Sequence, residues 1–259
     1  MRDAPRWMWI MTVKITHGVD FSGAKGGGGA KIVVASCGDS GEVSLERGLD
    51  RNRLVARIRE TLADGDRHLW RIDAPFSVPE AVFDAHELEK DWLSLAHWMR
   101  QFDDPRAWRR ALRAVDRKEK KRLCDRAAHA PLAPMNLRVF KQTWTVVCEV
   151  LLPLVSDEID LPCLRSTDAP VSVVESCPAS VLHRMGESSR GYKGRTTDNQ
   201  IRRRALLQLL EGEGLEISSS IGRRAIEDSE GDVLDALLLL LAPVSEATPV
   251  QAGCEGWIW

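Results

Sequence analysis

The sequence predicts an α/β fold in one domain over about 12–259: a central five-stranded mixed sheet flanked by helices, with a helical insertion at about 80–165. Three observations predict it. Three β-rich runs joined by short Gly-containing links open the chain, and strand-type runs then alternate with helix-type periodicity. At Pro79 the composition changes to long, charged, Trp-bearing segments.

Residues 1–11, MRDAPRWMWIM, read as an N-terminal extension with Met11 as an alternative start; a small-residue cleavage site is missing, so no signal peptide is expected. Thr12 to Ala24 (TVKITHGVDFSGA) is an extended strand carrying Val13 and Ile15, then, after a break at His17-Gly18, Val19 and Phe21. It delivers Asp20 to a Gly-rich bend. There Gly23 and the run Gly26 to Gly29 leave room for a ligand to meet the backbone. Lys31 to Cys37 is a β-branched strand, Gly38 to Gly41 a turn, and Glu42 to Glu46 a third strand, together an antiparallel meander. Asp50 caps a helix whose Leu54, Val55, Ile58 and Leu62 share one face. Arg67 to Ile72 is the fourth strand; it ends at Asp73, and Pro75 forbids further pairing.

In the insertion, Arg106, Arg109, Arg110, Arg113, Arg117, Lys120 and Lys121 recur at three- and four-residue steps, giving an amphipathic helix with a basic side. Two readings stand: a solvated face, or a phosphate-neutralising patch with Trp92, Trp98, Trp108 and Trp144 as stacking surfaces, although most of those Trp are expected in the core. Val171 to Glu175 is a buried-type strand ending in a third acid. Arg190 to Arg195 is basic and Gly-punctuated, and a helix from about Asn199 to Leu210 turns Ile201, Ala205, Leu206 and Leu209 inward. Ser229 opens the last helix, with Asp232 at the capping-box distance and Asp235 one step further in; Glu255 to Trp259 adds an edge strand or packs on the core.

Composition excludes several classes. With Lys+Arg 36 against Asp+Glu 38, the formal charge of −2 gives no overall attraction to nucleic acid, so any such binding needs a local patch. No apolar run approaches the roughly 20 residues of a membrane span, so a soluble protein without a membrane partner is expected. The six cysteines are scattered with no CxxC pair, which suits reduced thiols and a cytoplasmic setting. A Cys177 or Ser176 nucleophile scheme lacks a motif that positions a His.

The chemistry lies in the acids. Asp20, Asp73 and Glu175 all end strands and gather at one rim if those strands are neighbours. Asp232 is explained by the helix dipole. Asp235 is not: on an almost wholly apolar helix, a carboxylate needs water, a basic partner or a metal ion. Like charges that close repel and raise each other's pKa unless a cation sits between them. Such hard oxygen ligands suit Mg²⁺ or Mn²⁺, and two ions about 4 Å apart would serve phosphodiester hydrolysis.

The order strand, strand, strand, helix, strand, with acids in GVDFSGA, RIDAPFSVP, VVESCPASVL and EGDVLDALLLLLA, resembles the ribonuclease H-like fold. More closely, it is similar to the family called domain of unknown function 429, described as predicted nucleases of that fold. The resemblance implies metal-site acids at Asp20, Asp73, Glu175 and Asp235 with Asp232 beside them, and, through GYKG, Lys193 near the substrate. It implies a metal-dependent nuclease with nucleic acid as partner. The Gly26 to Gly29 run and the Arg/Lys-rich insertion depart from the family's pattern. Two other readings remain: a catalytically silent nucleic-acid or protein adaptor, and a nucleotide-binding protein of the actin and sugar-kinase type, which needs a duplicated domain.

Overall fold

The computed structural model describes residues 13–23, 31–115, 117–157, 159–241 and 250–259. The expected N-terminal extension and the run Gly26 to Gly29 lie outside the described residues. The sheet is five-stranded and mixed: β1 (Ile15–Asp20), β2 (Ile32–Gly38), β3 (Val43–Leu49), β4 (His68–Ile72) and β5 (Val171–Glu175), in the order β3-β2-β1-β4-β5. β1 to β3 form the antiparallel meander, and β4 and β5 run parallel to β1. This agrees with the expected α/β class and with a ribonuclease H-like arrangement. α1 (Arg51–Leu62) joins β3 to β4, with Asp50 Oδ1 accepting from the Arg53 N–H at 2.8 Å as the cap.

Alternation along the strands divides the core in two. Val19, Ile32, Val34, Trp70 and Ile72 face α1 and helices that follow β4: α2 (Glu80–Ala85), α3 (Trp92–Arg100), α4 (Pro105–Val115) and, after the short α5 (Leu123–Ala127), which packs with Ala130 and Ile258, α6 (Phe140–Val146). α6 continues through a π-helical turn, Val147–Leu151, into Leu152–Val155. His17 joins this face, stacked 3.9 Å from Trp70 and hydrogen-bonded to Ser36 and His68; burial lowers its pKa to about 3. Val33 and Ala35 face the opposite layer: α7 (Pro178–Arg184), α8 (Thr197–Gly212), α9 (Ser219–Glu227) and α10 (Asp232–Leu239). After α11 (Ala252–Glu255), the Trp259 N–H donates to the Glu175 carbonyl at 2.9 Å, so the terminus does lie along the β5 edge.

Trp92, Trp108 and Trp144 are buried core residues, two of them donating to the carbonyls of Phe76 and Met99, so they offer no stacking surface; Trp98 is half-buried against His86 and Phe102. Three expectations are corrected. The basic helix ends at Val115, so Arg117, Lys120 and Lys121 lie beyond it. α8 is rotated from its expected face. Ile201 is exposed and Arg203 buried, because its guanidinium donates to the carbonyls of Ile226, Tyr192 and Gly194. Ser229 does not cap α10. Gly231, at φ 83°, turns the chain so that Asp228 Oδ2 accepts from the Val233 N–H at 2.9 Å. Among the described residues, no helix is long and apolar enough to cross a membrane.

Candidate metal centre

Asp20 at the end of β1, Asp73 just past the end of β4 and Asp235 in α10 each offer a carboxylate oxygen within 4.8 Å of the other two. The local sequence dictates this. β1 and β4 are parallel neighbours, so both chains leave the sheet on the same edge. Gly18 lies two residues before Asp20, on the same face. A Cβ there would stand 2.1 Å from the Ala236 carbonyl oxygen, so the missing side chain lets α10 lie against β1 and brings Asp235 to Asp20. Gly23 repeats the device: its Cβ would meet the Gln142 backbone at 2.5 Å, and Gln142 Nε2 donates to the Phe21 carbonyl at 2.7 Å. Both glycines belong to the GVDFSGA motif.

Asp235 is buried and partnered, one of the alternatives its apolar helix left open. Tyr192 Oη donates to its Oδ1 at 2.7 Å and Lys193 Nζ to its Oδ2 at 2.5 Å. Arg203 donates to the carbonyls of Tyr192, the chain's single tyrosine, and Gly194, and so fixes the backbone on either side of Lys193. By contrast, among the described residues neither Asp20 nor Asp73 has a side-chain hydrogen bond or ion pair.

Glu175 ends β5 as expected but turns to other work. Arg122, fully buried, grips both of its carboxylate oxygens and those of Asp125, and the Phe76 N–H donates to Glu175 Oε2 at 2.8 Å. Glu175 lines the same cleft as the three aspartates yet stands outside their cluster, because a guanidinium already neutralises it. Asp232, at the first turn of α10, is half-buried and also faces the cleft without joining the cluster.

The electrostatics follow from crowding. Burial, then Asp235, raises the Asp73 pKa from 3.8 to about 8. Asp20 is raised well above its usual value by burial and by Asp235, Asp232 and Asp73. Burial raises Asp235 and Asp232 too, while Lys193 pulls both back in part. Burial works against the Lys193 charge, but its carboxylate partners outweigh it and hold the ammonium protonated. The nearby Cys177 thiol is pushed up to about 12 by burial and Asp73, which leaves little thiolate for nucleophilic attack.

The cleft measures about 720 Å³, with Asp20, Asp73, Asp235 and Lys193 among its walls and Arg138, Val139 and Gln142 on one side. Sequence reasoning named the acids and Lys193. It did not single out Tyr192, Arg203, Arg122 or the spacing role of Gly18. The lone tyrosine inside a Gly-bounded basic motif was the available signal.

No curated protein matches the chain, and no solved structure matches it. The family model described as "Protein of unknown function (DUF429)" matches residues 18–247, a stretch that carries all the cluster acids and nearly the whole sheet, so the chain belongs to that family.

Proposed function

We propose that this protein is a divalent-metal-dependent nuclease, hydrolysing phosphodiester bonds of nucleic acid. One observation carries the reading: three carboxylates from three separate elements converge within 4.8 Å in an open cleft, and two of them have no partner among the described residues. An all-oxygen donor set of this kind fits Mg²⁺ or Mn²⁺. Asp20 and Asp73 would hold the cation, with Asp235 as a third ligand. Bound there, the ion would supply Lewis-acid polarisation of a phosphoryl oxygen and a more acidic water. The chain's own residues do the rest. Tyr192 fixes the orientation of Asp235, and Arg203 holds the backbone that carries Lys193. The Lys193 ammonium, on a side chain 52% exposed, is placed to pair with a phosphate oxygen entering the cleft. Buried walls around the carboxylates strengthen each of these interactions.

A silent adaptor is the second reading, favoured by the Lys193–Asp235 ion pair, which already supplies one counter-charge to the cluster. The test is cleavage of labelled single- and double-stranded DNA and RNA with Mn²⁺, wild type against Asp20→Asn. Metal-dependent cutting lost in the variant is the expected result. A wild type that binds Mn²⁺ and cuts nothing favours the adaptor, and equal cutting by both proteins removes Asp20 from the chemistry.

A further inference from the structure

The cleft has an electrostatic difficulty. Its walls interleave Lys31, Arg138, Arg190 and Lys193 with carboxylates, so its basic side chains are largely offset by acids and give a polyanion little net attraction. The chain's net charge of −2 gives no long-range help. Affinity for a nucleic-acid strand therefore has to be anchored outside the cleft.

A second concavity, about 560 Å³, is lined by Arg106, Arg109, Arg110, Arg113 and Arg117 together with Leu137 and Phe140, and among the described residues no carboxylate lines it. α4 itself contains no acid, so its arginines lack the interspersed (i, i+4) partners of an ordinary solvated helix face. Glu119 takes a hydrogen bond from Arg109 and lies 3.7 Å from Arg113. Arg106, Arg110, Arg113 and Arg117 are exposed. Residues 137–142 form the wall between the two concavities: Leu137 and Phe140 line the arginine groove, while Arg138, Val139 and Gln142 line the carboxylate cleft.

We propose that this groove binds the sugar-phosphate backbone of a polynucleotide that crosses residues 137–142 and places a phosphodiester in the carboxylate cleft. The inference rests on the nuclease reading for the cleft, but the groove's own binding does not require cleavage. It makes the substrate an extended strand and not a mononucleotide, because the groove and the cleft are separate concavities on either side of residues 137–142.

The experiment is fluorescence anisotropy in EDTA with labelled oligonucleotides of about 20 nucleotides, longer than the ~4–16 that one binding fold covers. Wild type, Arg106→Gln/Arg110→Gln/Arg113→Gln and Asp20→Asn are compared across a KCl series, with circular dichroism as the check on folding. The groove variant should weaken binding at every salt concentration, and its log–log salt slope should be shallower by about 0.7 per lost contact on single strands or 0.9 on duplex. Asp20→Asn should bind at least as tightly as wild type. If the triple variant proves unfolded, the single Arg110→Gln protein is read for the same fall in slope. A slope unmoved in a folded groove variant, or no binding by wild type at low salt, overturns the proposal. Groove-dependent binding without metal-dependent cleavage upholds it and sinks the nuclease reading alone.

Discussion

The protonation of Asp73 gives the sharpest test of the cluster. Below about pH 3.8 the carboxyl is neutral in the folded and unfolded chains alike, and it does not affect stability. Between 3.8 and about 8 the folded protein keeps a proton that the unfolded chain has released, so stability falls as pH rises through that window. Above about 8 the carboxylate is ionised in both states and the full destabilisation is present. The two values are roughly four decades of proton affinity apart, which at 1.36 kcal/mol each sets a ceiling of about 6 kcal/mol. Asp73 is open to the cleft on one side, and water there brings the expected effect down to about 2–3 kcal/mol. Urea unfolding in EDTA at pH 5, 6, 7 and 8 should show wild type losing stability across the series, with Asp73→Asn losing much less. Mn²⁺ needs the ionised carboxylate, so its affinity should climb about tenfold per pH unit from 6 to 8 and then flatten. Wild-type stability that is flat in EDTA and matches that of Asp73→Asn would mean an ordinary ionised side chain, and the crowding argument would fail.

Three further outcomes are expected. Gly18→Ala drives a methyl into the Ala236 carbonyl, so it should destabilise by about 3 kcal/mol or more and weaken Mn²⁺ binding by displacing Asp235; thermal unfolding and calorimetry check this, and a neutral substitution would refute the close-approach account. Glu175→Gln breaks a buried pair with Arg122 and should lower stability by about 3 kcal/mol, while Mn²⁺ affinity in the folded protein stays near wild type. A loss of affinity of about tenfold or more with the fold retained would instead make Glu175 a ligand. Arg71 is buried with Nε and Nη1 unpartnered among the described residues, and burial lowers its pKa to about 9, so Arg71→Met should raise stability by about 1–3 kcal/mol; a clear fall in the melting temperature would show that a further partner satisfies it.

The sheet was legible because each strand is a short run with apolar residues followed by its own stop signal, β2 and β5 being rich in β-branched residues as well. Val171 to Glu175 was bounded to the residue, and β1 to β4 within a few residues at their ends. The acids at strand ends were legible for the same reason, since a polar residue after an apolar run marks the sheet's rim. What failed was anything set by partners distant in sequence. Glu175 looks like Asp73 in the sequence, both ending a strand before a Pro-containing turn. Arg122, 53 residues away, separates them by neutralising one and not the other. The inward face of α8 was misread because a buried arginine bonded to three carbonyls outweighs an isoleucine's preference for the core, and hydrophobic periodicity carries no signal for that. The Trp residues show the converse: large apolar surfaces in a charged segment are buried by default.

The division of partners within the cluster bears on how the site would work. Among the described residues two of its acids lack a side-chain partner, and burial and neighbouring carboxylates raise their pKa values, while the third, Asp235, is tied to a tyrosine hydroxyl and a lysine ammonium. A cation in the cleft would be held by Asp20 and Asp73, which leave the Lys193 pair with Asp235 undisturbed. Lys193 can then leave Asp235 at little conformational cost, because its stem is more than half exposed while Arg203 keeps its backbone fixed. The ammonium would then be free to pair with a phosphate oxygen if a cation took over the charge of Asp235. The orientation of Asp235 does not depend on that lysine. The Tyr192 hydroxyl, buried and made a still weaker acid by its surroundings, stays a donor at every working pH and holds Asp235 Oδ1 in place throughout.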